Sequence, residues 1–220
     1  MITVPEATKK IILRSRYLAE AISKGIINNS SLARYIKPEI EEMLVKEVSN
    51  SAIIMALNRL SFEIKPKYSR KNIFKTPPDM ILRSNLTLLN LVNSKSQEEK
   101  YSALIKLSSS RHFLTITKGP FETTMLVSND LKEKTKGILE NEEITKEIDG
   151  LSAITIQLPE EATSTPGIFY FFLKSLAWEG INVLEIISTQ LELTLIVNGK
   201  DINRTYSILN SLFSKVGLES

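Results

Sequence analysis

The first part of the chain has apolar residues at helical spacing, separated by polar runs that can cap helices. Residues 6–24 are predicted to form one helix, and Gly25 follows as a stop signal. The apolar positions of this helix are Ala7, Ile11, Leu18 and Ile22. A second helix is expected after the polar run 28–31, interrupted or restarted near Pro38. A third helix is expected over residues 52–60, capped by the polar run 49–51, with a buried stripe of Ile53, Ala56, Leu57 and Leu60.

The apolar period disappears in a polar and basic segment at residues 68–79, which ends in Pro77 and Pro78. A segment of this composition is typical of a wing or linker and marks a domain boundary. The sequence therefore predicts a small helical domain over residues 1–67, separated from a larger body.

The body contains an order of elements that occurs twice. Residues 80–150 are predicted to contain strand, helix, strand, strand, helix and strand, and the same order recurs in residues 151–220 with little sequence identity. Separate strands are expected at 144–148 and at 153–158, on either side of the junction. The predicted fold class is α+β, with the helical domain followed by two ferredoxin-like βαββαβ units.

Composition excludes several kinds of site. The chain has 220 residues, of which 42% are hydrophobic, so it can bury a real core. It has no cysteine and a single histidine, His112, so disulfides and cysteine- or histidine-based metal sites are not expected. His112 is predicted to be a structural residue at the start of a strand. With eight glycines and no phosphate-binding, nucleophile-elbow or dinucleotide motif, the chain is predicted not to be an enzyme and to need no cofactor.

The chain has no apolar run long enough to cross a membrane and no apolar signal core at its N-terminus. We therefore expect a cytoplasmic protein without a membrane partner.

Charge is distributed unevenly along the chain. Residues 1–75 carry 14 Lys and Arg against 7 Asp and Glu, whereas residues 76–220 carry 14 against 18. A basic N-terminal third joined to a mildly acidic body indicates that the first third binds a polyanion. Ordinary surface solvation is the alternative.

Three short helices followed by a basic tail are typical of a helix-turn-helix domain with a wing. Residues 30–36 resemble the opening of the second helix of winged-helix regulators, and residues 51–60 would then be the recognition helix. Asn58 and Arg59 are the predicted groove contacts. The predicted phosphate contacts are Lys65, Lys67, Arg70 and Lys71. A helical domain that packs on the body or mediates dimerisation would have nearly the same pattern.

Residues 164–197 have the pattern of a loop, an amphipathic helix, a tight turn and two β-branched strands. This stretch resembles the ACT domain of aspartokinase regulatory regions. In that family a Pro-Gly loop opens the first helix, here Pro166 and Gly167, and a Gly-Ile-Asn turn, here 180–182, precedes a strand ending Ile-Ser-Thr, here 187–189. The resemblance implies two ACT units and a homodimer. It does not imply kinase activity, since the segment before the pair is too short for a kinase domain.

The resemblance also implies a site for an effector, usually an amino acid, where the loop between the first strand and the first helix meets the start of the second strand of a neighbouring unit. The matching residues are Thr165, Pro166, Gly167, Ile168 and Asn182. The alternative is that Pro166 and Gly167 only start the helix while Asn182 tolerates a turn. Gln190 and Leu191 depart from the family pattern, and the aromatic run 169–172 could fill the ligand space. The first copy has no Pro-Gly loop at residues 92–97 and is expected to be structural.

These features predict a regulatory protein that binds nucleic acid, most plainly in transcription, with a tandem ACT body for dimerisation and amino-acid sensing. One alternative is an RNA- or ribosome-associated factor that uses the same basic N-terminal domain without reading sequence. Another is a stand-alone ACT protein that confers feedback control on a metabolic enzyme.

Overall fold

The computed structural model describes residues 2–64, 74, 76–109 and 111–214. The chain divides into two compact units, Met1–Ser69 and Arg70–Ser220. None of the helices in the described ranges is long and apolar enough to cross a membrane.

The N-terminal unit is helical in its described part. Its helices are α1 (Val4–Arg14), α2 (Arg16–Ser23), α3 (Asn29–Leu44) and α4 (Asn50–Glu63). Side-chain oxygens of Thr3, Asn28 and Ser49 cap α1, α3 and α4 by accepting bonds from backbone N–H groups of the first turn. One core holds these helices together, and its most buried members include Ile12, Ile36, Ile40, Ile53 and Leu57.

Two features of the predicted helices are corrected. The helix expected over residues 6–24 is broken at Ser15, whose backbone is extended at φ −100° and ψ 103°. The break lets both short helices bury their apolar residues in the same core, where Ile11 and Leu18 lie together. Pro38 does not interrupt α3. Ile36 and Ile40 flank it four residues apart on one buried face, so packing offsets the backbone hydrogen bond that Pro38 cannot make.

The C-terminal unit is a mixed α+β structure, as predicted. Its strands are β1 (Met80–Val92), β2 (Leu114–Lys118), β3 (Glu122–Ser128), β4 (Ile144–Gln157), β5 (Val183–Ser188) and β6 (Glu192–Asn198). Its helices are α5 (Ser96–Leu107), α6 (Lys132–Ile138), α7 (Ile168–Trp178) and α8 (Ile202–Ser214). The strands form one six-stranded sheet in the order β2-β3-β1-β4-β6-β5, and every pairing in it is antiparallel.

The two strands expected at 144–148 and 153–158 are a single strand, β4, so the predicted junction at residue 150 lies inside a strand. Gly150 has φ 69°, a conformation typical of turns, and here it lies within the strand. β1 is equally long. Its start, 80–83, pairs with the end of β4, and its later residues, 86–91, pair with the beginning of β4.

Each half of the sheet therefore has four strands and uses a part of both long ones. The first repeat is β2-β3-β1-β4, and the second repeat is β1-β4-β6-β5. Matching backbone hydrogen bonds relate the repeats: Val92 donates to the carbonyl of Glu143, and Gln157 donates to that of Asp79, each at 3.0 Å. Val92 is thus equivalent to Gln157, and Glu143 to Asp79. The repeats interlock because each supplies an outer strand to the other.

The helices pack on one face of the sheet, in two clusters. In the second repeat Ile154 and Ile156 of β4 pack with Phe172 of α7, and in the first repeat Leu89 packs with Leu104 of α5. The opposite face holds a third buried cluster, formed by Leu86, Leu88, Leu126, Leu151, Ala153 and Ile196. Phe113, next to β2, and Leu184, in β5, both pack against this third cluster although they lie at opposite ends of the strand order. The sheet is therefore curled around the face that carries this third cluster.

Candidate functional site

The loop between β4 and α7 is built by local hydrogen bonds. Residues 160–164 form a 3-10 turn in which the hydroxyls of Thr163 and Thr165 donate to the carbonyls of Glu160 and Glu161 at 2.8 and 2.7 Å. Gly167 then takes the N-cap position of α7 with φ 84°, a left-handed conformation that suits glycine.

Among the residues that the structure describes, no side chain caps α7, and the first helical bond runs from the N–H of Phe171 to the carbonyl of Gly167 at 3.1 Å. The N–H groups of Ile168, Phe169 and Tyr170 in the first turn therefore have no acceptor within the helix. Such a helix start favours an anion, because these donors and the helix dipole both attract negative charge.

A cleft of about 450 Å³ lies at the start of α7. Its walls come from the loop, the first turn of α7 and the hairpin between β5 and β6. The lining residues are Leu158, Ala162, Thr163, Thr165, Gly167, Ile168, Phe169, Tyr170, Thr189 and Gln190. None of these side chains carries a charge at neutral pH, so the cleft combines apolar walls with hydroxyl and amide groups.

The structure brings together some of the predicted effector residues. Thr165, Gly167 and Ile168 line the cleft, and Pro166 lies between them in the loop without lining it. Asn182 is exposed and precedes β5, whereas the cleft lies beyond the other end of that strand. Since a strand of this length spans about 20 Å, Asn182 lies far from the cleft of its own repeat. Its contact with an effector held by the loop of a neighbouring unit stays a prediction.

The aromatic run at the start of α7 divides between the core and the cleft. Phe172 is fully buried, with its ring centroid 6.1 Å from that of Phe74 and 5.9 Å from that of Phe213. Phe169 and Tyr170 are 42% and 44% exposed and form part of the cleft wall. The aromatic side chains thus shape the cleft and leave its volume open. Gln190, which departs from the family pattern, is part of the lining.

The predicted nucleic-acid contacts lie in a different environment. The side-chain oxygen of Asn58 accepts a hydrogen bond from the amide of Asn29 at 2.6 Å, which ties α4 to the start of α3. Arg59 is exposed on α4. The other four predicted contacts, Lys65, Lys67, Arg70 and Lys71, lie outside the described residues.

The described part of the helical unit is nearly balanced in charge, since residues 2–64 contain nine Lys and Arg and seven Glu. Four ion pairs join some of these charges. The pairs are Lys9–Glu63 at 2.9 Å, Arg14–Glu39 at 2.6 Å, Lys24–Glu20 at 2.6 Å and Lys37–Glu41 at 3.5 Å. The basic excess of the N-terminal third therefore comes mainly from residues 65–75, which contain five Lys and Arg and no acidic residue.

His112 lies just before β2, where a structural histidine is expected. Its Nε2 is 3.1 Å from a carboxylate oxygen of Asp130, and its Nδ1 is 2.9 Å from the hydroxyl of Ser109. These contacts join the end of α5 to the segment that follows β3. Among the residues that the structure describes, no group of His, Asp and Glu side chains could hold a metal ion.

No protein-family model matches the sequence, and no curated protein matches it. Solved structures of aspartokinases are similar in fold. The chain is 15% identical to a structure of aspartokinase alpha and beta subunits, with a TM-score of 0.52, and the match covers 63% of this chain and 99% of the other. It is 14% identical to the ligand-free regulatory subunit of aspartate kinase from Thermus thermophilus, with a TM-score of 0.50 and coverages of 60% and 96%.

Aspartate kinase from Clostridium acetobutylicum is 14% identical, with a TM-score of 0.53. That match covers 67% of this chain but only 37% of the other, so this chain spans about a third of the length of that enzyme. At these identities the likeness concerns the fold alone. It confirms the predicted resemblance to aspartokinase regulatory domains, while the helix-turn-helix character of the N-terminal unit stays a prediction.

Proposed function

We propose that the C-terminal unit is a regulatory module that binds a free amino acid in the cleft at the start of α7. The observation that carries the proposal is the combination of an open cleft with an uncapped helix start. The similarity of the fold to the regulatory subunit of aspartate kinase supports it.

The geometry suggests how an amino acid is held. The carboxylate accepts hydrogen bonds from the N–H groups of Phe169 and Tyr170, and Gly167 allows close approach because it has no side chain. Gln190, on the opposite wall, can bond the ammonium group with its amide oxygen. Leu158 and Ile168 offer an apolar surface for the side chain of the effector. We expect an uncharged effector side chain, because the lining contains no residue that could pair with a charge.

A calorimetric titration with the twenty amino acids tests this proposal. Gln190→Trp fills the cleft, and Pro120→Trp places the same bulk in the hairpin of the first repeat. We expect one amino acid to bind to the wild type and to Pro120→Trp, and binding to be abolished in Gln190→Trp. The proposal is wrong if no amino acid binds or if Gln190→Trp binds like the wild type.

A second function, nucleic-acid binding by the N-terminal third, is favoured by the exposed Arg59 and by the basic segment 65–75 that follows α4. Transcriptional regulation is its plainest form. Replacing Lys65, Lys67, Arg70 and Lys71 by Ala should weaken binding to all sequences alike. It should also reduce the salt dependence of affinity by about 0.9 in logarithmic slope for each duplex phosphate that the variant no longer neutralises.

The matched control replaces four lysines of the C-terminal unit by Ala, namely Lys95, Lys106, Lys134 and Lys146. Both variants are titrated against duplex DNA and structured RNA at low and moderate salt. Tighter binding to DNA favours the regulator, and tighter binding to RNA favours the RNA- or ribosome-associated factor. If neither nucleic acid binds and one metabolic enzyme co-purifies in stoichiometric amount, the better account is a stand-alone regulatory protein that confers feedback control on that enzyme.

We also propose that the protein is a homodimer, joined through its C-terminal unit. β2 and β5 are the outer strands of the sheet, and Trp178, at the end of α7, is 81% exposed. Trp178→Ala should weaken the dimer in light-scattering measurements over a range of concentrations. The control Phe121→Ala removes an aromatic residue that is 87% exposed in the first repeat. A monomeric wild type at micromolar concentration contradicts this proposal.

A further inference from the structure

The first repeat has a different arrangement at the place that the cleft occupies in the second. Asn93 follows Val92 as Leu158 follows its equivalent, Gln157, so the loop before α5 corresponds to the loop before α7. The second repeat has an apolar residue at this position, on the wall of its cleft. The first repeat has the polar residue Asn93 there, and the side chain of Asn93 forms hydrogen bonds to its neighbours.

A buried carboxylate lies at the start of α5. One oxygen of Glu142 accepts a hydrogen bond from the hydroxyl of Ser94 at 2.5 Å, and the other accepts one from Ser96 at 2.7 Å. The ammonium of Lys100, one turn further along α5, is 2.8 Å from the carboxylate. The side chain of Glu142 is only 2% exposed. Two hydroxyl groups and an ammonium group thus bind Glu142 at the start of α5, and the same donors could bind a free carboxylate.

The loop and the hairpin of the first repeat are also tied together. The amide of Asn93 donates to the carbonyl of Gly119 at 2.8 Å, and the hydroxyl of Thr123 donates to the side-chain oxygen of Asn93 at 2.7 Å. Gln97 is fully buried and donates to the carbonyl of Val92 at 2.6 Å. In the second repeat the corresponding loop and hairpin form opposite walls of the cleft.

The second repeat cannot supply such a carboxylate from the equivalent position. Glu143 is equivalent to Asp79 by its backbone bond, so the residue before it, Glu142, is equivalent to Pro78. Proline has no group that could bind at a helix start. The two repeats therefore differ at a position from which the first repeat supplies a carboxylate and the second cannot.

We propose that Glu142 is a built-in occupant of the first repeat, and that Ser94, Ser96 and Lys100 form a receptor for a small carboxylate which this side chain fills. The receptor rests on the contacts of Glu142 alone. A corollary, that each chain binds one effector and not two, rests in addition on the proposed function.

Chemical rescue tests the receptor. Glu142→Ala removes a group of the size and charge of acetate, and Glu143→Ala is the matched control at the exposed neighbouring residue. Thermal unfolding is measured at pH 7 in sodium acetate and in sodium chloride of equal ionic strength. We expect Glu142→Ala to unfold roughly 5–10 °C below the wild type and to regain a large part of that difference with saturating acetate. The wild type and Glu143→Ala should respond alike to the two salts.

The proposal is overturned if Glu142→Ala is as stable as Glu143→Ala, or if chloride restores its stability as well as acetate does. If Glu142→Ala does not fold in chloride, its refolding yield is measured with and without acetate, and a yield that acetate does not raise also overturns the proposal. Acetate rescue should persist in the double variant with Gln190→Trp. Failure of the amino-acid site and failure of the receptor are therefore separate outcomes.

Discussion

Acidification should lower the free energy of unfolding, and the part of this loss that comes from Glu142 can be measured separately. The hydrogen bonds from Lys100, Ser94 and Ser96 outweigh the effect of burial and lower the pKa of Glu142 from 4.5 to about 2. Because the folded state binds the proton less readily than the unfolded state, the carboxylate stabilises the fold at pH values above about 4.5. This contribution disappears as the pH falls from about 4.5 towards about 2.

The difference between these two pKa values corresponds to at most about 3 kcal/mol of unfolding free energy. Glu142→Gln keeps the shape of the side chain but removes the charge, so it should lose a contribution of this order at pH 7. The control Glu143→Gln makes the same chemical change at an exposed position and should have little effect.

Urea unfolding of the wild type and of both variants at pH 7, 5, 4 and 3 measures the effect. The carboxyl groups of Glu147 and Asp149 also have lowered pKa values, because they accept hydrogen bonds from Lys132. These two groups are the same in the wild type and in Glu142→Gln. The difference in unfolding free energy between the wild type and Glu142→Gln therefore reports the contribution of Glu142 alone. It should be largest at pH 7 and pH 5 and shrink between pH 4 and pH 3. A difference that stays constant down to pH 3 would refute the reasoning.

Three further predictions concern the fold. Gly199→Ala should lower the free energy of unfolding in urea by about 1–3 kcal/mol, because a Cβ there would lie 2.7 Å from the carbonyl oxygen of Gly150. The control Gly137→Ala in α6, where a Cβ meets nothing within 4 Å, should be neutral or stabilising. Ser49→Ala should cost about 1 kcal/mol in the unfolding of the helical unit, because the hydroxyl accepts a hydrogen bond from the N–H of Ala52 at 3.3 Å; an unchanged midpoint would mean that this cap is not stabilising. A fragment of residues 151–220 should not fold alone, because the second repeat needs the start of β1 and a continuous β4; a cooperative unfolding transition of this fragment, monitored by circular dichroism, would contradict the interlocked arrangement.

Local pattern was enough to predict the elements, and long-range pairing was needed to assemble them. The helix predicted over residues 52–60, which the structure has as α4, is predictable because Ser49 caps it and its apolar residues share one face. The break at Ser15 has no such signal, because the apolar residues on both sides of it keep one helical phase. At Gly150 the sequence indicates a turn, but pairing of β4 with both β1 and β6 keeps the strand continuous through it. A glycine with positive φ looks the same in sequence whether it ends a strand or lies inside one.

Only the part of the candidate site that is local in sequence could be predicted. Thr165, Gly167 and Ile168 could be predicted because a loop and the helix that follows it are adjacent in sequence. The spacing of Ile168, Phe172 and Leu176 also indicates which aromatic side chains point inward, since residues four apart share one face of a helix.

The position of the built-in carboxylate could not be predicted in this way. Ser94 and Glu142 are 48 residues apart, and nothing in the spacing of either segment indicates that they meet. Their contact follows from the register in which Leu91 of β1 pairs with Ile144 of β4. The same register argument places Pro78 before the outer strand of the second repeat. Whether a repeat can supply a carboxylate to the start of its own first helix thus depends on a residue outside the loop, at a position defined by strand pairing.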